Sequence, residues 1–343
     1  MKIIKKIIQT KEQIKLKVPF VTALRKVYFA EFIRVKVMCE DGSFTYGEAP
    51  STKAITGETL ESISQSVEKL TPMLISKDLD EALVILHAQK CGSSAKAALD
   101  MAIVMLLAKE KTQTLKEYFS IRNVQAIQTD ITISLGSSEQ MLLDAKDAFS
   151  NDMKILKVKL GSDIVHSIAI TKTLSQKLPE ATLLIDANQA WSKAQTLDYL
   201  DAIEKIPQIA LLEQPVAAKD VESLAEITQK SRVNILADEA VFTLADAKYV
   251  IENRVADMIN IKVMKCGGIS KAIEILEYAR KEGIKCMLGS MIEGPYSINI
   301  TIYLAFAYSD IIKFIDLDSP LLYEKWPDEL DFSYKGSKIY FKP

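Results

Sequence analysis

Three acids and three lysines carry the first chemical signal in this chain. Asp186, Glu213 and Asp238 each close a short apolar run, in TLLIDAN, IALLEQP and NILADEA, and lie 27 and 25 residues apart. Taken singly, such an acid is ordinarily an ion pair or a helix cap. Brought side by side, three carboxylates repel one another unless a cation sits among them. An all-oxygen donor set suits Mg²⁺, with Mn²⁺ as a substitute, better than zinc or copper. The two histidines, His87 and His166, stand outside this pattern and are read as structural or exposed.

Lys157 and Lys159 are two apart in ILKVKLG, hence on one face of a strand, and Lys262 ends MINIK. Lysine is a poor base at its ordinary pKa of about 10.4, but a nearby cation and partial desolvation lower that value. A substrate carboxylate chelating the metal would have its α-proton acidified, because the metal and the Lys157 ammonium stabilise the enediolate that forms. Lys159 and Lys262 would then remove and return that proton from opposite faces of one carbon. Alone, the pair at 157 and 159 would pass for snorkelling surface lysines; the opposed Lys262 reverses that reading. Lys265 is read as structural and Gly267-Gly268 as a tight turn.

These side chains need a frame that aligns them. Thr132, Lys159, Asp186, Glu213, Asp238, Lys262, Ser290 and Asp316 stand at the carboxyl ends of eight β-branched runs, from IQTDITI to KFIDLDS, spaced 24 to 28 residues apart. Each spacing accommodates one strand, one helix and two loops, so the rhythm predicts eight parallel units closing into a barrel with its site at the strands' carboxyl ends. A doubly wound open sheet shares the rhythm but does not explain why the units end in charged or hydroxyl side chains. In a closed barrel, the second and sixth strands face each other across the acids. The eighth run is followed by SPLLYEKWPDELDFSYKGSKIYFKP, which reads as turns and short strands in place of an eighth helix. The expected fold is a modified TIM barrel, (β/α)7β, over residues 126–318. An α+β cap over residues 1–125 precedes it, and a segment over 319–343 returns to the cap. Within the cap, AEFIRVKVMCEDGSFTYGEA alternates around an Asp41-Gly42 hairpin signal, and Ala95, Ala98, Leu99, Ala102, Ile103, Leu106 and Leu107 form an apolar helical stripe.

The bulk numbers agree with a large buried core: 343 residues, 48% hydrophobic and 26% charged. With 43 basic against 45 acidic residues, net charge −2, there is no positive field for nucleic acid or anionic lipid. The run Ile298 to Tyr308 is too short for a bilayer, and the lysines at 2, 5 and 6 interrupt any signal-peptide core. Cys39, Cys91, Cys266 and Cys286 lack metal-type spacing and read as reduced thiols of a cytoplasmic protein. A homo-oligomer is the expected assembly.

Together, the Lys-x-Lys pair at 157 and 159, the acids at 186, 213 and 238, and Lys262 resemble the enolase superfamily, muconate-lactonising subgroup, across nearly the whole chain. Within that subgroup, Asp316-x-Asp318 in FIDLDSP is similar to the signature of dipeptide epimerases. The resemblance implies that the two aspartates hold a dipeptide's free α-ammonium. It further implies that Thr132 and Ser290 contact substrate, and that Arg25, in PFVTALRKV, meets the second side chain. A guanidinium there suits a glutamate side chain, so the implied activity is epimerisation of L-Ala-D/L-Glu. EGPYS after the seventh strand departs from the family's serine-rich helix start and bears on side-chain preference. The rival activities are those of N-acylamino-acid racemase, o-succinylbenzoate synthase and muconate cycloisomerase, which share all but the aspartate pair. The rival from another class is a non-catalytic binding protein on the same fold.

Overall fold

The computed structural model describes residues 2–23, 25–111, 114–122 and 124–342. The chain begins with an antiparallel meander of β1 (Ile4–Val21), β2 (Lys26–Cys39) and β3 (Phe44–Pro50). The β2–β3 turn is the Asp41-Gly42 hairpin, with Gly42 at φ +83°, a left-handed conformation that glycine adopts without a Cβ penalty. Helices α1 (Leu60–Leu74), α2 (Leu79–Ala88), α3 (Ser93–Glu110) and the short α4 (Leu115–Tyr118) follow. The stripe expected on α3 broadens to nearly the whole circumference, because the helix is enclosed by β3, α1 and α2 and by barrel helices. Its approach to β3 is so close that a Cβ on Gly47 would lie 1.9 Å from the Ala98 carbonyl oxygen.

The IQTDITI run divides in two. Its first part, β4 (Ile127–Gln128), pairs with the tail, and only β5 (Ile131–Ile133) enters the large sheet. Thr129 and Asp130 make the switch: Thr129 N donates to Ser337 O at 2.9 Å, and Asp130 N donates to Ile315 O at 2.9 Å. From β5 the chain alternates α5 (Ser138–Ser150), β6 (Ile155–Lys159), α6 (Ile164–Lys177), β7 (Thr182–Asp186), α7 (Lys193–Ile203), β8 (Ile209–Glu213), α8 (Val221–Lys230), β9 (Asn234–Ala237), α9 (Leu244–Glu252) and β10 (Met258–Lys262). It continues through α10 (Val263–Cys266), α11 (Ile269–Lys281), β11 (Cys286–Gly289), α12 (Pro295–Ala307) and β12 (Ile312–Asp316). Among the described residues, eight strands, β5 to β12, form one parallel sheet in sequence order. The Asp130–Ile315 bond spans the seam between its first and last strands, so the barrel is nearly closed.

Strand periodicity sorts the barrel interior into layers. Leu184, Leu211, Leu236, Met258, Met287 and Phe314 pack as a separate apolar cluster inside. Two residues further along each of those runs come Asp186, Glu213, Asp238, Asn260, Gly289 and Asp316. The intervening residues, among them Val158, Ile185, Leu212, Ala237, Ile261 and Ile315, join the core beneath the helices. Helices α5 to α9 start on their own polar caps, Ser137, Asp163, Ser192, Asp220 and Thr243. Helices α11 and α12 start on Gly268 and Gly294 and take acids from the preceding region: Asp100 Oδ1 accepts from Ser270 N, and Glu48 Oε2 from Tyr296 N and Ser297 N. A Cβ on either glycine would fall 2.3–2.4 Å from the acid.

After α13 (Ser319–Leu322), Tyr323 bridges to Leu16 on β1 and Glu324 N donates to Lys15 O. The tail then folds as a hairpin, β13 (Phe332–Lys335) and β14 (Lys338–Phe341), which pairs with β4 and not with the β1–β3 sheet. Its Phe332 and Phe341 stack among Tyr303 and Phe306 of α12. No helix among the described residues is long and apolar enough to cross a membrane.

Candidate active site

The register of the parallel sheet sets the chemistry in one ring. Lys159 on β6 pairs with Asp186 on β7, Asp186 with Glu213 on β8, and Lys262 on β10 with Gly289 on β11, which pairs with Asp316 on β12. Lys159 and Lys262 are four strands apart, with all three acid-bearing strands between them. Gly289 is required by this packing, since a Cβ there would lie 3.0 Å from Lys262 Cε and 2.8 Å from Asn260 Oδ1.

Asp186, Glu213 and Asp238 are fully buried, each beside an ammonium group. Lys159 Nζ donates to Asp186 Oδ2 at 2.5 Å and Lys262 Nζ to Asp238 Oδ2 at 2.6 Å. Lys157 Nζ stands 2.7 Å from Asp316 Oδ2, 2.8 Å from Glu213 Oε2 and 3.4 Å from Asp186 Oδ2. Burial alone would lower the Lys157 ammonium, but Asp316, Glu213, Asp186 and Asp130 outweigh it and hold its pKa well above the ordinary value. Lys262 is raised in the same way, chiefly by Asp238. Burial and the neighbouring Asp186 push Glu213 up to about 7, whereas Lys262 and Lys265 overcome burial and hold Asp238 far below the carboxylate range.

The donor set fits a hard divalent cation. Asp130, Asp186, Glu213, Asp238, Glu239, Glu293, Asp316 and Asp318 are eight buried carboxyl groups around the barrel mouth, against four buried ammonium groups, Lys157, Lys159, Lys262 and Lys265. The excess of acids over ammonium groups and the oxygen-only ligands are what Mg²⁺ favours. One oxygen of each acid is held from outside, leaving a second to turn inward: Asn188 N donates to Asp186 Oδ1, Asn260 Nδ2 to Glu213 Oε1, and Lys265 Nζ lies 2.6 Å from Asp238 Oδ1. Such outer partners orient metal ligands.

Arg25, Thr132, Lys159, Lys262, Ser290, Asp316 and Asp318 all line one cavity, with Phe20 from β1 and Ile292 from the β11–α12 loop closing its rim. Lys157, Asp186, Glu213 and Asp238 lie beneath, packed through the lysine contacts above. Thr132 N donates to Asp318 Oδ2 at 2.8 Å, and Ser290 donates through N and Oγ to Asp316 O. Arg25 Nη1 donates to Ser51 O at 3.3 Å; burial lowers its guanidinium, and no carboxylate partner meets it among the described residues. His87 pairs with Asp100 at 2.8 Å and His166 approaches Ser138, both away from this cavity.

Four contributors escaped the sequence reading. Asn260 shares the inward face of Lys262 two residues later, a signal present in MINIK. Gln214, at φ +34°, accepts from Asp238 N and Ala240 N and fixes the β9 end. Glu239 is buried with no hydrogen-bond partner for either oxygen among the described residues, and burial with Asp238 pushes it up to about 8. Asp130 is the fourth.

Comparison with known proteins places these features in a lineage. The family model for the enolase C-terminal domain-like fold matches residues 140–335, and that for the mandelate racemase/muconate lactonizing enzyme N-terminal domain matches residues 4–119. The chain is 54% identical over 330 residues to an L-amino acid-D/L-Glu epimerase of Sulfurimonas denitrificans, covering 96% of each chain. A substrate-liganded L-Ala-D/L-Glu epimerase from Bacillus subtilis superposes with a TM-score of 0.93 at 34% identity, over 100% of this chain and 97% of that one. A dipeptide epimerase from Enterococcus faecalis, complexed with Mg and L-Leu-L-Tyr, gives 0.91 at 29% identity, over 99% and 97%.

Proposed function

The chain belongs to the mandelate racemase/muconate lactonizing enzyme family of the enolase superfamily, and from that premise we propose that it is a Mg²⁺-dependent dipeptide epimerase acting on L-Ala-D/L-Glu. The observation that carries this reading is the placement of Lys159 and Lys262 on opposite flanks of Asp186, Glu213 and Asp238, with Asp316 and Asp318 lining the same cavity.

Asp186, Glu213 and Asp238 would hold the cation. When bound, Mg²⁺ supplies the charge that draws electrons from the substrate carboxylate and lowers the pKa of the adjacent lysines. Lys157 Nζ, beneath the cavity, would stabilise charge developing on the oxygens of the C-terminal carboxylate. One of Lys159 and Lys262 takes the α-proton on a neutral Nζ, while the other, as ammonium, delivers a proton to the opposite face. One C–H bond breaks and one forms, and the centre inverts. Asp316 and Asp318 receive the dipeptide's α-ammonium, Thr132 and Ser290 support them, and Arg25 receives the glutamate side chain.

This reading includes a cap at 1–125, a barrel at 126–318 and a closing segment at 319–343. It also includes Mn²⁺ as a working substitute, a homo-oligomer on size-exclusion chromatography, and a cytoplasmic location. Free Cys39 and Cys286, both buried, are compatible with that location. The deciding experiment is incubation with Mg²⁺ and L-Ala-L-Glu in D₂O, followed by proton NMR. Deuterium is expected at the glutamate α-carbon in both epimers. No incorporation across a panel of small dipeptides would leave a non-catalytic binding protein. Asp318→Asn separates the rival activities: an unchanged kcat/KM for free dipeptide would favour an N-acylated substrate.

A further inference from the structure

Asp316 and Asp318 have a third acid behind them. Asp130 precedes β5, is 1% exposed, and does not line the cavity that the other two face. One carboxylate oxygen from each of Asp130, Asp316 and Asp318 lies within 4.8 Å of the others. Asp318 Oδ2 accepts from Thr132 N, and Asp316 Oδ2 accepts from Lys157 Nζ. Neither oxygen of Asp130 finds a donor among the described residues.

The groups that bear on Asp130 are Asp316 and Asp318 at the end of β12, Lys157 from β6 and Glu213 from β8. The one cation in that set, Lys157, is divided among Asp316, Glu213 and Asp186. Three ionised carboxylates this close, with Asp130 sealed away from the cavity, cannot be balanced by a shared ammonium. A buried acceptor with no donor is also costly. A proton on Asp130 resolves both problems, because it removes one charge and turns the unpartnered side chain into a donor.

We propose that Asp130 is a positioning residue of the ammonium-binding site: it holds a proton and donates it to the inner oxygen of Asp316 or Asp318, fixing the pair that faces substrate. This deepens the reading in which Asp316 and Asp318 bind the dipeptide's amino terminus, and rests on it. The cluster then carries no more than two negative charges, which face the shared Lys157 and one substrate ammonium. Three charges would call for a further cation. Burial, then Asp316, holds Asp130 well above the ordinary carboxyl range; the same causes push Asp318 up to about 7, while Lys157 overcomes burial to hold Asp316 low.

The test uses the full-length, Mg²⁺-loaded enzyme. Infrared difference spectra between wild type and Asp130→Asn, without substrate at pH 7, should show one protonated-carboxyl band in wild type that the variant lacks. Spectra without that difference would overturn the proposal, as they would if a metal ion occupied the cluster. In kinetics, Asp130→Leu removes the donor at similar size and should raise KM for L-Ala-L-Glu about tenfold with kcat nearly held. Asp130→Asn restores a donor and should recover most of that loss. A wild-type KM in the leucine variant, or an asparagine variant as impaired as leucine, would each overturn it. If the leucine variant does not fold, the infrared comparison and the asparagine kinetics still decide. Failure of the ammonium reading itself registers elsewhere, as an unchanged kcat/KM for free dipeptide in Asp318→Asn with the infrared band intact.

Discussion

Two carboxylate trios share the mouth of this barrel, and their surroundings differ. Asp186, Glu213 and Asp238 sit on adjacent strands, each with an ammonium group within 2.8 Å and an outer partner holding one oxygen. Asp130, Asp316 and Asp318 gather across the seam between the first and last strands, with Lys157 alone among lysines touching them and Asp130 lacking any donor among the described residues. On the proposed reading, identical functional groups serve different guests. The first trio is held from outside, as the ligands of a compact divalent ion would be; the second is open on its cavity side, where Asp316 and Asp318 could meet an organic ammonium.

The comparison breaks most readily at the lysines beside the first trio. Lys159→Ala and Lys262→Ala should each lower epimerisation by about 10²–10⁴-fold in NMR assays, the range for loss of a general acid or base. Equal activity in both variants and wild type would remove the two-base scheme. Next comes Asn260→Ala, which frees Glu213 Oε1 and should raise the Mg²⁺ concentration for half-activity by about 10–100-fold, measured by metal titration. The same substitution should leave KM for dipeptide at saturating Mg²⁺ nearly unchanged, which separates the two trios. Asp316→Asn tests their connection, because Asp316 holds Lys157 at 2.7 Å. It should raise KM about tenfold and also depress kcat, whereas Asp318→Asn should act on KM alone. The smallest effect belongs to Arg25→Met: about two- to fivefold lower kcat/KM for L-Ala-L-Glu, with none for a dipeptide ending in a neutral residue.

The first trio was the legible one. Its acids follow apolar strands of regular spacing, so local periodicity places them on one ring without knowledge of distant contacts. The period-two pattern also put Lys157 with Lys159 and could have exposed Asn260 ahead of Lys262. The second trio was read only in part, as Asp316-x-Asp318. Asp130 joins it through closure of the barrel, and the seam contact between Thr132 and Asp318 spans 186 positions in sequence. For the same reason the IQTDITI run looked like one strand. Its division follows from Thr129 bonding to the tail hairpin at Ser337 while Asp130 bonds to β12. Capping of α12 by Glu48, 248 positions away, left only a glycine where a polar cap was due.

That arrangement reaches into how the molecule can be recombined. Glu48 and Asp100 occupy the volume a side chain would need at Gly294 and Gly268, so each helix start is finished by a residue encoded in the other half of the gene. A chimera joining this barrel to a foreign N-terminal half would inherit two bare helix ends unless the donor brought acids at matching positions. Exchange of modules between relatives is thereby confined to partners that carry the same key.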